Sequence, residues 1–302
     1  MMAARPRTLP AAIAPVLVGS AAAAYAIQPW CFPWETCIQI LREPFDWLAF
    51  LAALVGSILI QIGTNLANDY SDAKRGADTA DRLGPVRVTS AGLIAPKRVL
   101  RAMWIAFGLA SLCGIYLATV AGPVILLVGV LSIAAGVLYT GDPRPYGYAG
   151  MGELFVFLFF GLVAVNGSYY VQLEELNCLP LLLSVSVGFL STAILVVNNV
   201  RDLETDKRAD KRTLAVRLGR ERTRTFYAVL VAGAFVLLPI AIALGDGPWL
   251  ALIAIGSLPL AFAPLKAVRT RTDGPALNGA LAGTGALLGT YSLLLSVGLV
   301  LG

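Results

Sequence analysis

Two short polar stretches carry the chemistry of this chain. Asn68-Asp69-Tyr70-Ser71-Asp72 and Asn198-Asn199-Val200-Arg201-Asp202 stand 130 positions apart, and the second continues to Asp206. Asn68 aligns with Asn198 and Asp72 with Asp202, each pair being four residues apart. Only 14% of the residues are charged, so carboxylates grouped with amides are a deliberate use of a scarce resource. On a continuous helix Asp202 and Asp206 share a face, as do Asn65, Asp69 and Asp72. Carboxylates brought together near an apolar interior repel unless a cation lies between them. The chain contains no histidine, and its four cysteines lack metal-ligand spacing. The metal is therefore one bound by oxygen, with magnesium or calcium favoured over zinc. Magnesium suits one or two carboxylates with phosphate oxygens completing its shell, so the expected ligand is a polyphosphate.

Basic residues crowd both stretches. Lys74, Arg82 and Arg87 follow the first; Arg201, Lys207, Lys211 and Arg212 belong to the second. They are candidates for gripping the phosphate that a metal leaves uncovered. Asn65 and Asn68 lie inside the hydrocarbon edge, where polar side chains face the bundle interior, and Asn198 and Asn199 open the second stretch. Gly76 occupies the position matching Asp206, and Asp78 is the nearest downstream substitute. Between the two stretches runs Tyr139-Thr140-Gly141-Asp142-Pro143-Arg144-Pro145-Tyr146-Gly147-Tyr148, a turn dictated by its prolines and glycines. Arg144 can reach a phosphate there, and Tyr139 can donate a hydrogen bond or shield a cation with its ring. A solvated charged loop accounts for either acidic stretch alone, though less readily for two on one face of a membrane. Many of the same arginines also follow from membrane topology.

The elements that hold these groups are membrane helices. Mean hydropathy is +0.77, and 58% of the residues are hydrophobic. Apolar segments close to the 20 residues needed to cross a bilayer recur throughout, unlike the ten-residue alternation of a barrel. The pattern predicts an all-α polytopic membrane protein with nine transmembrane helices, at about 9–27, 47–66, 98–118, 121–140, 153–172, 179–198, 225–244, 248–265 and 276–300. The first, behind Arg5 and Arg7, is read as a retained helix. With the N-terminus cytoplasmic, 22 of the 23 Lys and Arg residues fall on the cytoplasmic side, and only Arg42 falls opposite. The expected location is the cell (inner) membrane, with both acidic stretches cytoplasmic and the C-terminus on the other face. Each stretch follows one span and precedes three, so residues 47–172 and 179–300 form two parallel four-helix halves, with one extra N-terminal helix, within one domain. Cys31 and Cys37 share a short loop, either paired or as free thiols. The partners are a bilayer and a small phosphorylated ligand, and nothing in the pattern asks for nucleic acid.

Five blocks in order give the chain a family likeness. They are residues 5–19, 68–78, 82–92, 139–148, and 198–206 continued by Lys211-Arg212-Thr213-Leu214-Ala215-Val216-Arg217-Leu218-Gly219. In these the chain resembles the UbiA-type intramembrane aromatic prenyltransferases, and more closely the branch acting on 1,4-dihydroxy-2-naphthoate. The resemblance implies nine helices around a lipid-accessible cavity, with both aspartate motifs above it. It implies Mg2+ on Asp69, Asp72, Asp202 and Asp206, holding the diphosphate of a polyprenyl diphosphate. The aromatic acceptor then takes the prenyl chain, and in this branch the naphthoate loses carbon dioxide to give demethylmenaquinone. An electron-rich ring needs no histidine base for that attack. Asp142 and Asp210 stand where the family pattern has glycine, adding negative charge near the phosphate site. Other acceptors (4-hydroxybenzoate, homogentisate, a haem precursor) stay open. A cation-coupled transporter is disfavoured because the spans hold almost no carboxylates.

Overall fold

The structure, a computed structural model, describes residues 5, 8–27, 45–76, 83–84, 87–143 and 145–302. Asp78, Arg82, Arg144, Cys31 and Cys37 lie outside the described residues. Every regular element among the described residues is helical. In order these are α1 (Pro10–Ile27), α2 (Trp47–Lys74), α3 (Pro96–Ala121), α4 (Val124–Leu138) and α5 (Gly152–Val156). A π-helical segment, Phe157–Val163, joins α5 to α6 (Ala164–Leu173). Then come α7 (Cys178–Arg208), α8 (Leu214–Leu218), α9 (Arg220–Leu244), a 3-10 rod (Trp249–Ser257), α10 (Pro259–Thr270) and α11 (Gly274–Leu301).

Local chemistry explains most boundaries. Asp46 caps α2 by accepting from the amides of Leu48 and Ala49 at 2.9 and 2.8 Å, satisfying donors that the helix start leaves open. Asn177 and Asp273 do the same for α7 and α11. Proline at the first turn opens α3 and α10, where its missing amide costs nothing. Gly122, at φ 81°, ends α3 in a conformation other residues avoid.

Seven of the described helices are long and apolar enough to cross a bilayer, or eight if the 3-10 rod and α10 form one span bent by 43°. The segment expected at 121–140 yields the 15-residue α4, shorter than the usual minimum. Large apolar side chains such as Trp104, Leu112, Val130, Val236 and Phe262 are exposed around the bundle. An apolar belt of this extent belongs in lipid, so the chain is an integral membrane protein.

Lipid removes the hydrophobic drive between helices, leaving close packing and small residues to hold them together. The central post is α7, where Leu183, Val187, Leu190, Val196, Val197 and Val200 are fully buried. It crosses the α5–α6 rod at Gly161 and Gly188; a Cβ on Gly161 would sit 2.7 Å from the Gly188 Cα. Helix α1 presents a face of Ala11, Ala14, Val18 and Ala21–Ala23 to its neighbours.

One difference from the sequence pattern bears directly on function. The second and sixth spans, expected to stop at residues 66 and 198, continue to Lys74 and Arg208. The acidic stretches are helical, with none of Asp69, Asp72 and Asp202 exposed to bulk water. Hydropathy ends where polar residues begin, but these polar residues are buried against the bundle and the helical backbone persists.

Candidate functional site

A cavity of about 440 Å³ opens between α2, α4, the 139–148 turn, the α5–α6 rod and α7. Its lining is graded by depth. On α2, Asp72, Asn68, Asn65 and Gln61 descend one face at intervals of four, three and four residues. On α7, Asp206, Asp202, Asn199 and Leu195 repeat that spacing. Such a ladder keeps one helical face turned inward over three turns. The carboxylates are at the mouth, amides lie below, and Ile125, Leu126, Phe159 and Phe160 line the apolar depth.

Asp72 is the meeting point of the two acidic stretches. Its carboxylate accepts from Arg87 at 2.6 Å and from the Tyr148 hydroxyl at 2.5 Å. Lys211, from the turn following α7, stands 3.3 Å away. A residue downstream of the second stretch thus pairs with a carboxylate of the first across the cavity mouth. The Lys211 ammonium also lies 4.6 Å above the Tyr148 ring, an arrangement worth on the order of 1 kcal/mol when partly desolvated. Burial, and then the charge of Asp72, push the Tyr148 hydroxyl above its ordinary pKa, so it remains a donor.

Asp202 is held by its neighbour. Arg201 spans both carboxylate oxygens, at 2.8 and 2.6 Å, and extends to the side-chain oxygens of Asn198 and Asn278, each at 2.7 Å. Only arginine has the planar fork for four such contacts. Its side chain is 1% exposed and does not line the cavity. Arg201 is therefore a bracket behind Asp202 and Asn198, where a phosphate grip was expected.

The other expected site residues divide clearly. Asp72, Asp202, Asp206, Asn65, Asn68, Asn198, Asn199, Tyr139, Arg87 and Lys211 all line the cavity. Asp69 does not; it accepts from the backbone amides of Val88 and Thr89 at 3.2 and 3.3 Å, tethering the turn that carries Arg87. Lys74 points to Asp142 at 3.4 Å, and Arg75 pairs with the same carboxylate. Those cations, Arg75 foremost, hold the Asp142 carboxyl below its ordinary pKa. Lys207 and Arg212 face a separate hollow beside Asp210. Asp210 sits at φ +52°, a left-handed conformation that explains why glycine suits that position.

Among the described residues no three acidic, cysteine or histidine side chains gather around one point. The cavity mouth instead offers carboxylate oxygens from Asp72, Asp202 and Asp206 and amides from Asn68 and Asn198. That donor set fits magnesium bound by one or two carboxylates and completed by phosphate oxygens.

Tyr148 and Glu153 lie outside the two acidic stretches, yet each contacts a cavity-lining residue of one of them. Glu153 is 4% exposed on the first turn of α5 and accepts from the Asn199 amide at 2.8 Å. A carboxylate within a membrane rod is itself a functional signal; it was visible at the end of the Gly-rich turn.

The profile of the UbiA prenyltransferase family matches residues 12–279. A 1,4-dihydroxy-2-naphthoate octaprenyltransferase of Mycobacterium tuberculosis is 43% identical over 299 residues, covering 99% of this chain and 96% of that protein. One of the same name from Escherichia coli is 40% identical, over 78% and 73% of the two chains. The Bacillus subtilis protein of that name is 33% identical, over 98% and 90%. Among solved structures, a UbiA homolog from Archaeoglobus fulgidus bound to GPP and Mg2+ matches with TM-score 0.63 at 14% identity, covering 98% of both chains. The apo UbiA homolog from Aeropyrum pernix K1 matches with TM-score 0.66 at 12% identity, over 94% and 97%. At those identities the structural likeness concerns fold alone.

Proposed function

Given that the chain belongs to the UbiA prenyltransferase family, we propose that it transfers a polyprenyl chain from polyprenyl diphosphate to 1,4-dihydroxy-2-naphthoate. Carbon dioxide is lost and the ring is left as a hydroquinone, demethylmenaquinol, the reduced form of demethylmenaquinone, a step of menaquinone biosynthesis. The observation that carries this reading is the depth gradient of a single cavity: carboxylates with Arg87 and Lys211 at the mouth, amides beneath, an apolar chamber below. A prenyl diphosphate is graded in the same way, from polyanion to hydrocarbon.

Asp72, Asp202 and Asp206, with Asn68 and Asn198, would hold Mg2+ together with the diphosphate. Bound there, the ion would neutralise charge building on the leaving group. Arg87 and Lys211 contact the phosphate oxygens, and Arg201 keeps Asp202 and Asn198 aimed at them. Asp69 contributes through the Arg87 turn. Tyr139, Asn65 and Asn199 surround the reacting ring, and the apolar depth excludes water from the allylic cation. Holding donor and ring together supplies a large part of the acceleration. The C–O bond to diphosphate breaks, the ring forms the new C–C bond, and loss of the carboxyl group restores aromaticity. Ile115, Leu126 and Val130 line the cavity and are themselves exposed, giving the prenyl tail a route toward lipid.

The topology in this proposal has nine crossings, with α4 as the short one and the bent 3-10 rod plus α10 as another. Two halves, 47–172 and 179–300, are supported by the repeated ladder on α2 and α7. The cavity mouth faces the cytoplasm at the inner membrane, on the strength of its basic rim.

The test supplies purified protein with carboxyl-labelled 1,4-dihydroxy-2-naphthoate, a polyprenyl diphosphate and Mg2+. Labelled carbon dioxide appears in step with prenylated product. Turnover of another aromatic acid with none of the naphthoate refutes the assignment.

A further inference from the structure

Asn199 lines the cavity, and its amide nitrogen donates to Glu153 at 2.8 Å. Glu153 is buried and does not reach the cavity lining. In that contact the Asn199 amide nitrogen is the donor and the Glu153 carboxyl oxygen the acceptor, which sets the sense of the amide. The nitrogen points to Glu153, and the carbonyl oxygen is left toward the chamber. No hydrogen bond to that oxygen occurs among the described residues, and it is not among the buried atoms lacking a partner. It is thus an open acceptor, set about 4.5 Å below Asp202 by three residues of helical rise.

A carbonyl oxygen at that depth repels phosphate and has no use for a prenyl chain. Its complement is a hydroxyl donor. Tyr139 also lines the cavity and packs beside Gly152, the neighbour of Glu153, where a Cβ would approach the Tyr139 hydroxyl to 3.3 Å. Tyr139 and Asn199 line the same cavity, so an aromatic ring held there meets both side chains.

We propose that Asn199 accepts a hydrogen bond from a ring hydroxyl of the aromatic acceptor, with Glu153 as the positioning residue that locks the amide in the required sense. This rests on the prenyl-transfer reading above and adds a residue that selects hydroxylated rings. Losing the lock allows the amide to turn and present a donor to a donor.

The test compares wild type, Glu153→Ala, Glu153→Gln and Glu153→Asp in steady-state assays with 1,4-dihydroxy-2-naphthoate and its mono-methyl ethers. Glu153→Ala raises the acceptor KM about tenfold, in line with one lost hydrogen bond, and leaves the KM for polyprenyl diphosphate unchanged. Glu153→Gln keeps an oxygen that can accept from Asn199 and returns the acceptor KM to within about twofold of wild type. One methyl ether, unable to donate, is about tenfold worse for wild type, and Glu153→Ala no longer distinguishes it. Glu153→Asp, whose shorter arm withdraws the oxygen, follows Glu153→Ala and supplies the comparison if the alanine variant does not accumulate. The proposal is overturned if the Ala and Gln variants lose kcat alike with acceptor KM unmoved, or if ether discrimination survives without Glu153. Wild-type protein that turns over no naphthoate would overturn the functional reading and this one together; turnover with unmoved KM overturns only this one.

Discussion

Replacing Arg201 with lysine keeps the charge beside Asp202 and removes the fork. The arginine makes four contacts, two of them to Asp202 and one each to Asn198 and Asn278. A lysine ammonium is a point donor on a different arm and retains at most one of them in good geometry. Hydrogen bonds to charged groups contribute about 1.5–3 kcal/mol. Asn278 still donates to the Leu83 carbonyl at 3.1 Å, and Asn198 can turn toward cavity water, so the net deficit falls on the orientation of Asp202. Outer-shell partners of this kind cost about 10–100-fold in metal affinity when removed. The expected result is an Mg2+ requirement shifted about 10–100-fold upward for Arg201→Lys, with wild-type levels of membrane-inserted protein. The assay titrates Mg2+ at saturating donor and acceptor and follows carbon dioxide release. An unshifted Mg2+ midpoint in properly inserted protein would refute the bracket and, with it, the role of Asp202 as a metal ligand.

Other expectations follow from the same geometry. Asp72→Ala and Asp202→Ala abolish Mg2+-dependent turnover while the protein still inserts; retained activity in either disproves its place in the site. Asp69→Ala frees the turn bearing Arg87, so the KM for polyprenyl diphosphate rises while the Mg2+ midpoint stays within about threefold, as separate titrations would show. Gly161→Ala overpacks the crossing with Gly188 and destabilises by about 1–3 kcal/mol, measured as earlier thermal inactivation in detergent. The Tyr148 hydroxyl is raised above 10.0, so its neutral, donating form persists through the physiological range. The rate profile therefore has no tyrosine limb below about pH 10, and a limb near pH 9 that disappears in Tyr148→Phe contradicts that assignment.

Much of this site could be read from residue order, because helical spacing decides which side chains share a face. The shared inward face of Asn65, Asn68 and Asp72 on one helix, and of Asn198 and Asp202 on the other, follows from it. Spacing does not settle which way a face is rotated. Asn65, Asp69 and Asp72 do share a broad face, yet the cavity centres between Asn65 and Asn68, leaving Asp69 at its edge against the 87–92 turn. Partners drawn from distant segments are equally hidden. Nothing local announces that Lys74 turns to Asp142, that Arg201 reaches Asn278 on α11, or that Tyr148 donates to Asp72. Helix ends at 74 and 208 were also illegible, since hydropathy registers the loss of greasy residues and not the burial of polar ones.

The bridge from Lys211 to Asp72 has a consequence for the order of events at the entrance. In this arrangement one carboxylate satisfies two cationic arms, and an arriving polyanion offers both of them more negative charge than it does. Were those arms to move to the newcomer, Asp72 would keep the Tyr148 hydroxyl and could turn more of its carboxylate toward a divalent ion. Anion and cation would then each improve the welcome given to the other, by equal factors as thermodynamic reciprocity demands.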